Sequence, residues 1–209
     1  MVMGYGHDDR VCAYTSFEAM MKIENPDKTC ITLLVDKEEI GSVGATGMHS
    51  RFFENALAEV MSATGEYRDI ELRRALANSN MLSSDVSVAY DPNYPQVVEK
   101  QNCSYFGRGV VFNKYTGVGG KSGSNDANAE YIARIREIMD RHQVMWQTSE
   151  LGKVDQGGGG TIAYILANYG MNVIDCGVPV HNMHAPWEIA NKADIYEAVK
   201  AYRAFLLEA

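Results

Sequence analysis

The stretch Val35-Asp36-Lys37-Glu38-Glu39-Ile40-Gly41 constrains this chain more than any other. The preceding segment, Thr29–Val35, is apolar and rich in β-branched residues, and it follows a polar turn, which predicts a buried strand. Ligands bind open α/β sheets at the carboxyl ends of strands, so Glu38 and Glu39 are candidate site residues. Neighbouring side chains on extended chain point to opposite sides, so the two glutamates are expected to differ in role. The alternative is a solvated loop, because carboxylates are mostly exposed.

Hydrophobic periodicity predicts strands and helices in alternation along the chain. Helices are expected at residues 10–23, 48–63, 69–79, 127–141, 161–169 and 190–207. Strands are expected at residues 2–7, 29–35, 81–86, 110–112, 144–146 and 171–176, and loops at 115–126, 156–160 and 178–188. This order predicts an α/β fold with three layers, α/β/α, around a mostly parallel central sheet, in one domain over residues 1–209.

Composition excludes several classes of function. The net charge of −8 argues against a nucleic-acid-binding surface, which would need a basic face. The sequence contains no run of about 18 uncharged apolar residues, so no membrane span is predicted. The amino terminus does not have the pattern of a signal peptide. The cysteines form no C-x-x-C pair and are expected to be free thiols in a reducing compartment, the cytoplasm: Cys12, Cys30, Cys103 and Cys176.

Two glycine-rich stretches offer alternatives. The first, residues 117–122, fails as a P-loop because Tyr115 stands where that motif needs a glycine. The second, Gly158-Gly159-Gly160-Thr161-Ile162-Ala163, fits G-x-G-x-x-A and leads to Asp175, so a dinucleotide-binding oxidoreductase is a competing hypothesis. Its weakness is that residues 149–156, which should form the preceding strand, are polar.

Five potential metal ligands fall at or just after predicted strand ends: Asp8, Glu38, Glu39, Asp85 and His184. The ends of parallel strands share one edge of a sheet, so these side chains are expected to meet there. Carboxylates crowded in one cleft repel one another unless cations neutralise them, and two metal ions bridged by one carboxylate would do so. Carboxylate and imidazole ligands suit zinc or a similar divalent ion. His181, close to His184, is expected to be a structural residue.

Around these residues the sequence resembles the aspartyl aminopeptidase / aminopeptidase I family of dinuclear zinc exopeptidases. The motifs that carry the resemblance are residues 6–10, 36–41, 84–86, 91–95, 121–125, 158–162 and 182–184. The resemblance implies that Asp8 bridges two divalent ions, which would be zinc, with cobalt or manganese also accepted by such ligands. It implies that Glu39 and His184 complete one ion's ligands, that Asp85 binds the other, and that Glu38 is the general base.

The same resemblance implies a zinc-exopeptidase-like fold, peptide substrates and a homo-oligomer. It also implies substrate binding by Gly158, Gly159 and Lys121, and the family name implies a preference for acidic N-terminal residues. In the family, a further histidine ligand and an inserted dimerisation domain precede the segment matched by Gly6-His7-Asp8. The sequence is therefore expected to be the C-terminal catalytic portion, with an incomplete fold. A catalytically silent fragment that self-associates through uncovered apolar surface is the alternative.

Overall fold

The computed structural model describes residues 1–65, 67–119, 121–153, 155–156 and 158–209. The helices are α1 (His7–Met20), α2 (Phe52–Thr64), α3 (Asp69–Ala77), α4 (Ala129–Arg141), α5 (Ala163–Ala167) and α6 (Lys192–Glu208). The strands are β1 (Val2–Gly4), β2 (Asn80–Ser84), β3 (Ser87–Val88), β4 (Val110–Asn113), β5 (Tyr115–Val118), β6 (Ser122–Asp126), β7 (Trp146–Thr148), β8 (Asn172–Gly177), β9 (Pro179–His181) and β10 (Glu188–Ala190).

The central sheet has the strand order β2-β8-β4-β7. The β2–β8 and β4–β7 pairs are parallel, and the β4–β8 pair is antiparallel. Adjacent side chains on β8 point to opposite faces: Ile174 packs into the cluster formed with α1, α4 and α6, while Val173 packs with α5. Helices therefore cover both faces of the sheet, and the predicted α/β fold is confirmed.

A second sheet, with the order β1-β10-β9-β3, brings the amino terminus next to the loop that precedes β10. β1 pairs antiparallel with β10, so that Gly4 lies opposite Glu188. β3 pairs parallel with β9, and it directly follows β2 in the chain. This sheet positions the start of α1, the end of β2 and the β9–β10 loop at one edge of the molecule.

The predicted buried strand at residues 29–35 is wrong. The segment is in no strand, and its side chains are exposed or half-buried; Ile31 and Leu34 are about half exposed, at 47% and 57%. The apolar, β-branched run favours extended backbone, but a strand also needs a neighbour with which to pair. Residues 29–35 and the edge strand β2 line the same cavity.

Residues 115–126, predicted as a loop, contain the antiparallel pair β5–β6. Glycine, serine and asparagine have low strand propensity, which hides this hairpin in the sequence. Gly120, which belongs to the glycine-rich stretch considered as a P-loop, lies outside the described residues, as does Gly157 of the loop at 156–160.

The remaining predicted elements are present with shifted ends. The helix expected from residue 48 begins at Phe52, and the strand expected at 144–146 is β7, Trp146–Thr148. The helix expected at 161–169 is the shorter α5, and part of the expected loop 178–188 forms β9. Among the described residues no helix is long and apolar enough to cross a membrane. The four cysteines are free, as predicted.

Candidate metal centre

Asp8 lies between β1 and the regular part of α1. Asp8 and Asp9 have non-helical backbone angles, and the peptide bond between them is cis. The Asp8 side chain is largely buried and its Oδ2 lies 3.0 Å from Nε2 of His184. Burial first, and then the nearby negative charge of Glu39, raise the pKa of Asp8 to about 7 against the lowering effect of His184.

His184 lies in the loop between β9 and β10, with a left-handed backbone conformation at φ 65°. Its Nε2 lies 3.3 Å from Oε2 of Glu39 as well as 3.0 Å from Asp8. One potential ligand atom from each of Asp8, Glu39 and His184 lies within 4.8 Å of the other two. Three distant parts of the chain thus converge on one point.

Glu38 and Glu39 lie in a short 3₁₀ helix, Glu38–Ile40, and not at the end of a strand. Lys37, at φ 71°, turns the chain into this helix. The two carboxylates still lie in different surroundings: Glu39 contacts His184, while Glu38 lines a cavity together with Asp85. Partial burial raises the pKa of Glu38, and the charge of Glu39 adds to this effect.

Asp85 directly follows β2, as the sequence predicts. Gly177 at the end of β8 allows the two backbones to approach closely, because a Cβ there would lie only 1.5 Å from the Asp85 carbonyl oxygen. Asp85 is half-buried, and its shielding from water, followed by the charges of Asp8 and Glu38, raises its pKa well above the usual value. Ligand atoms of Asp8, Asp9 and Asp85 also lie within 4.8 Å of one another.

The two clusters share Asp8, and their chemistry fits divalent cations. Shielding from water raises the pKa values of Asp8, Asp9 and Asp85, and repulsion between the neighbouring carboxylates adds to this effect. Within the described chain, Asp9 Oδ1 is buried and has no hydrogen-bond partner. Cations would neutralise this negative charge, and oxygen and imidazole donors suit zinc, cobalt or manganese.

Glu188 is the residue of this region that sequence reasoning missed. It is buried, with 2% of its surface exposed. The backbone N–H of Asp8 donates to its Oε2 at 3.0 Å, and the backbone N–H of His184 donates to its Oε1 at 2.8 Å. One carboxylate therefore holds the backbones of two candidate ligands that are far apart in sequence. A glutamate after Trp187 carries no sequence signal for such a role.

The predicted substrate-binding residues lie together in a different part of the structure. The Gly117 N–H on β5 donates to the carbonyl oxygen of Gly159 at 3.0 Å, and a Cβ at Gly158 would lie 2.6 Å from the Gly117 oxygen. Lys121 is exposed just before β6. Among the described residues, none of these three lines the cavity beside Glu38 and Asp85.

Asp175 does not have the surroundings of a ribose-binding residue. It is 2% exposed and accepts hydrogen bonds from the hydroxyls of Thr161 and Thr116, the latter at 3.2 Å. The helix after the glycines, α5, has only five residues, and no strand directly precedes them in the described chain. These features give the dinucleotide hypothesis no support. His181, with Nε2 2.9 Å from the Tyr90 carbonyl oxygen, is engaged in a structural contact.

An α/β fold that gathers carboxylates and an imidazole where strands and helices meet has the character of a divalent-metal enzyme. The chain belongs to the family described as "Aminopeptidase I zinc metalloprotease (M18)", which it matches over residues 1–206. The family resemblance predicted from the motifs is thereby confirmed.

The relatives are much longer than this chain. It is 69% identical over 206 residues to the "Probable M18 family aminopeptidase 1" of Clostridium acetobutylicum, a match that covers 99% of this chain and 44% of the relative. The crystal structure of aminopeptidase I from that organism has a TM-score of 0.90. The M18 aminopeptidase structure from Thermotoga maritima, 43% identical, has a TM-score of 0.95 and is matched over 99% of this chain and 46% of its own length. This chain spans less than half of those proteins.

Proposed function

We propose that this chain carries catalytic groups of a metal-dependent aminopeptidase that releases N-terminal residues from peptides. Asp8, Glu39 and His184 would hold one divalent ion, and Asp8 and Asp85 would hold a second. Bound ions would supply Lewis acidity, polarising a carbonyl group and lowering the pKa of water. The observation that carries the proposal is the convergence of the Asp8, Glu39 and His184 ligand atoms within 4.8 Å.

In this proposal Glu38 is the general base. It stands next to a proposed ligand and lines the cavity beside Asp85, and partial burial raises its pKa, which makes the carboxylate a stronger base. The proton would come from the attacking water and pass to the leaving amine. A carboxylate that is not itself held by an ion remains free for this transfer.

The acidic surroundings also favour an exopeptidase. The free amino group of a peptide is a cation, and the carboxylates around Asp8 would attract it electrostatically. Gly158, Gly159 and Lys121 are proposed to bind the rest of the substrate. The hairpin β5–β6 and the glycine loop, which contact each other through Gly117, would form that surface together.

Adjacent glutamates provide a matched test of this assignment. Glu38→Gln should keep bound zinc and the native circular dichroism spectrum but reduce kcat by about 100-fold or more, since general base catalysis contributes about 10²–10⁴-fold. Glu39→Gln should instead lose zinc affinity, because it removes a ligand. Metal analysis and release of p-nitroaniline from a panel of aminoacyl substrates, each chosen for a different N-terminal residue, would measure both effects.

Two results would contradict the proposal. One is full turnover in Glu38→Gln, which would remove that carboxylate from the proton transfer. The other is a zinc-loaded parent chain that releases no residue from any substrate, which would favour the catalytically silent alternative.

Four further features belong to the proposal. Residues 1–209 would form one catalytic domain, and its two ions would be zinc. The chain would be a homo-oligomer, in keeping with the relative whose structure is described as "mApe1 dodecamer" and with exposed apolar residues on α2, including Phe52 and Val60. Its free cysteines would suit the reducing cytoplasm.

A further inference from the structure

Three side-chain hydroxyl groups are hydrogen-bonded in a row at the end of β2, here called the hydroxyl row: Ser16, Ser84 and Tyr202. Ser16 Oγ on α1 donates to Ser84 Oγ at 3.3 Å, and Ser84 Oγ donates to Tyr202 Oη on α6 at 2.8 Å. The Tyr202 hydroxyl in turn lies next to the Cys176 thiol on β8. Ser84 is the last residue of β2, so the row connects α1, α6 and β8 to the point where Asp85 begins.

The inner end of the hydroxyl row is shielded from water. Tyr202 is 4% exposed and Cys176 is 1% exposed. Burial raises the pKa of Tyr202 well above its usual value, so the residue stays a neutral hydroxyl. A serine hydroxyl has one proton to donate, and that of Ser84 is directed at Tyr202. Leaving a buried polar group unsatisfied is costly, so this hydrogen bond favours a single orientation of the Ser84 side chain.

Asp85 itself is fixed by a second set of hydrogen bonds. Its backbone N–H donates to the Cys176 carbonyl oxygen at 3.1 Å, and its Oδ1 accepts the Val86 N–H at 2.7 Å. The hydroxyl row holds the preceding residue, Ser84, from the side of the helices α1 and α6. Ser84, Asp85 and Tyr202 all line one cavity. The two sets of hydrogen bonds together limit the directions in which the Asp85 carboxylate can point.

We propose that Tyr202 is a positioning residue for Asp85, which acts through the Ser84 hydroxyl and strengthens binding of the second divalent ion. The inference rests on the proposed function, in which Asp8 and Asp85 hold that ion. Hydrogen bonds beyond the ligands orient metal-binding side chains and raise their affinity for the metal. The hydroxyl row would do so from α6, without contact between Tyr202 and the ion.

The alternative role of Tyr202 is to fill the hydrophobic core, in which it packs with Cys176 and with residues of α1 and α4. A residue that only filled this space would do so equally well without its hydroxyl. Tyr202→Phe removes the hydroxyl and keeps the ring, so the core loses almost no volume. This substitution therefore separates the positioning role from the packing role.

The structure offers a matched control on the same strand. Tyr131 on α4 is also buried, at 3% exposure, and its hydroxyl donates to the Met81 carbonyl oxygen of β2 at 2.8 Å. Tyr131→Phe thus removes a buried hydrogen bond to β2 of the same length, but further from Asp85. Both phenylalanine variants should lower the free energy of unfolding by similar amounts, since each loses one hydrogen bond.

Titration with Co²⁺, followed by visible absorption, would measure the affinities of both ions. Asp85→Asn identifies the step that belongs to the second ion, because it removes one of that ion's proposed ligands. Tyr202→Phe should raise the Kd of that step about tenfold, at the lower end of the effect of residues that support metal ligands. The Kd of the other ion should be unchanged in Tyr202→Phe, and both values should be unchanged in Tyr131→Phe.

A double variant tests whether Tyr202 acts through Ser84. Ser84→Ala alone should weaken binding of the second ion by a similar factor, because it removes the same hydrogen bond. Combining Ser84→Ala with Tyr202→Phe should weaken binding no further, since both substitutions break one interaction.

Two results would overturn this proposal alone. One is an equal Kd for the second ion in Tyr202→Phe and the parent, and the other is a pair of effects that multiply in the double variant. A parent that binds a single ion, or a second step that Asp85→Asn leaves unaltered, would contradict the second ion of the proposed function, and this proposal with it. The two failures are distinguishable, because the first two results require a second ion that Asp85 binds.

Discussion

At the residue scale, the candidate metal centre depends on a carboxylate that is proposed to bind no metal. Glu188 accepts the backbone N–H groups of Asp8 and His184, and it is buried. These two hydrogen bonds fix the backbone positions of Asp8 and His184, and thereby the points from which their side chains extend. Hydrogen bonds to charged acceptors are among the stronger ones in proteins, so Glu188 should govern how precisely the candidate ligands are placed.

Glu188→Gln is expected to weaken metal binding while leaving the fold in place. The amide keeps the shape of the carboxylate, but its NH₂ group cannot accept one of the two N–H donors. Residues that support metal ligands typically contribute about 10–100-fold to metal affinity, and we expect a loss in that range. Competition with a chromophoric chelator for Zn²⁺ or Co²⁺ would measure it.

Glu137→Gln is the matched control for this change, since Glu137 is exposed on α4 and pairs with Arg141. Its metal affinity should equal that of the parent. Unchanged affinity in Glu188→Gln, with the cobalt spectrum also unaltered, would show that the carboxylate has only a structural role.

At the scale of elements, Asp175 connects β8 to two other parts of the structure. It accepts hydrogen bonds from Thr116 on β5 and from Thr161, just after the glycine loop. Burial raises the pKa of Asp175 from 3.8 to about 6, although the surrounding donors oppose this effect. The position of the proposed substrate-binding surface therefore depends on a buried acid.

Asp175 should make stability depend on pH. Between about pH 4 and pH 6 the folded protein retains the Asp175 proton that the unfolded chain releases, so the free energy of unfolding falls as pH rises. Above pH 6 this contribution no longer changes. The shift corresponds to about 3 kcal/mol at most. Asp175→Asn resembles the protonated acid and should remove this part of the slope.

Urea unfolding of the parent and Asp175→Asn at several pH values from 4 to 7 would measure that difference. The other buried acids titrate in both proteins, so their effects cancel in the comparison. Asp155→Asn, at an exposed position with φ 66° that asparagine tolerates, is the control. Parallel pH profiles for parent and Asp175→Asn would contradict the expectation.

At the scale of the whole molecule, the acidic edge is expected to link folding to metal binding. The chain has a net charge of −8. Several of its carboxylates lie close together in a partly buried region, where their negative charges repel one another. Ligands that bind only the folded state stabilise it. Divalent ions should therefore raise the stability of the whole fold.

Zinc at about 100 times its Kd should raise the free energy of unfolding by about 2.7 kcal/mol, and a chelator should reverse the effect. His184→Ala should lose most of this increment. His142→Ala, which removes an imidazole that pairs with Glu208 outside the cluster, should retain it. Thermal unfolding with and without zinc would measure these changes, and an equal increment in both variants would exclude His184 as a ligand.

The sequence by itself determined most of the helices and the strands of the central sheet. The periodic apolar residues of α4 and the β-branched residues of β8 are buried in the core, so the local pattern and the tertiary packing agree there. The resemblance motifs likewise named the acids and the imidazole that converge in the structure. These features can be predicted from the sequence because each depends on residue type and on spacing along the chain.

Only the tertiary structure decided the relations between distant segments. Residues 29–35 have the pattern of a strand, but pairing depends on a neighbour, and this segment lines a cavity together with the edge strand β2. Which glutamate contacts His184 depends on the turn at Lys37. The role of Glu188 depends on two backbone N–H groups separated by nearly the whole chain. Pairing, burial and backbone contacts are properties of the folded chain, and no single segment encodes them.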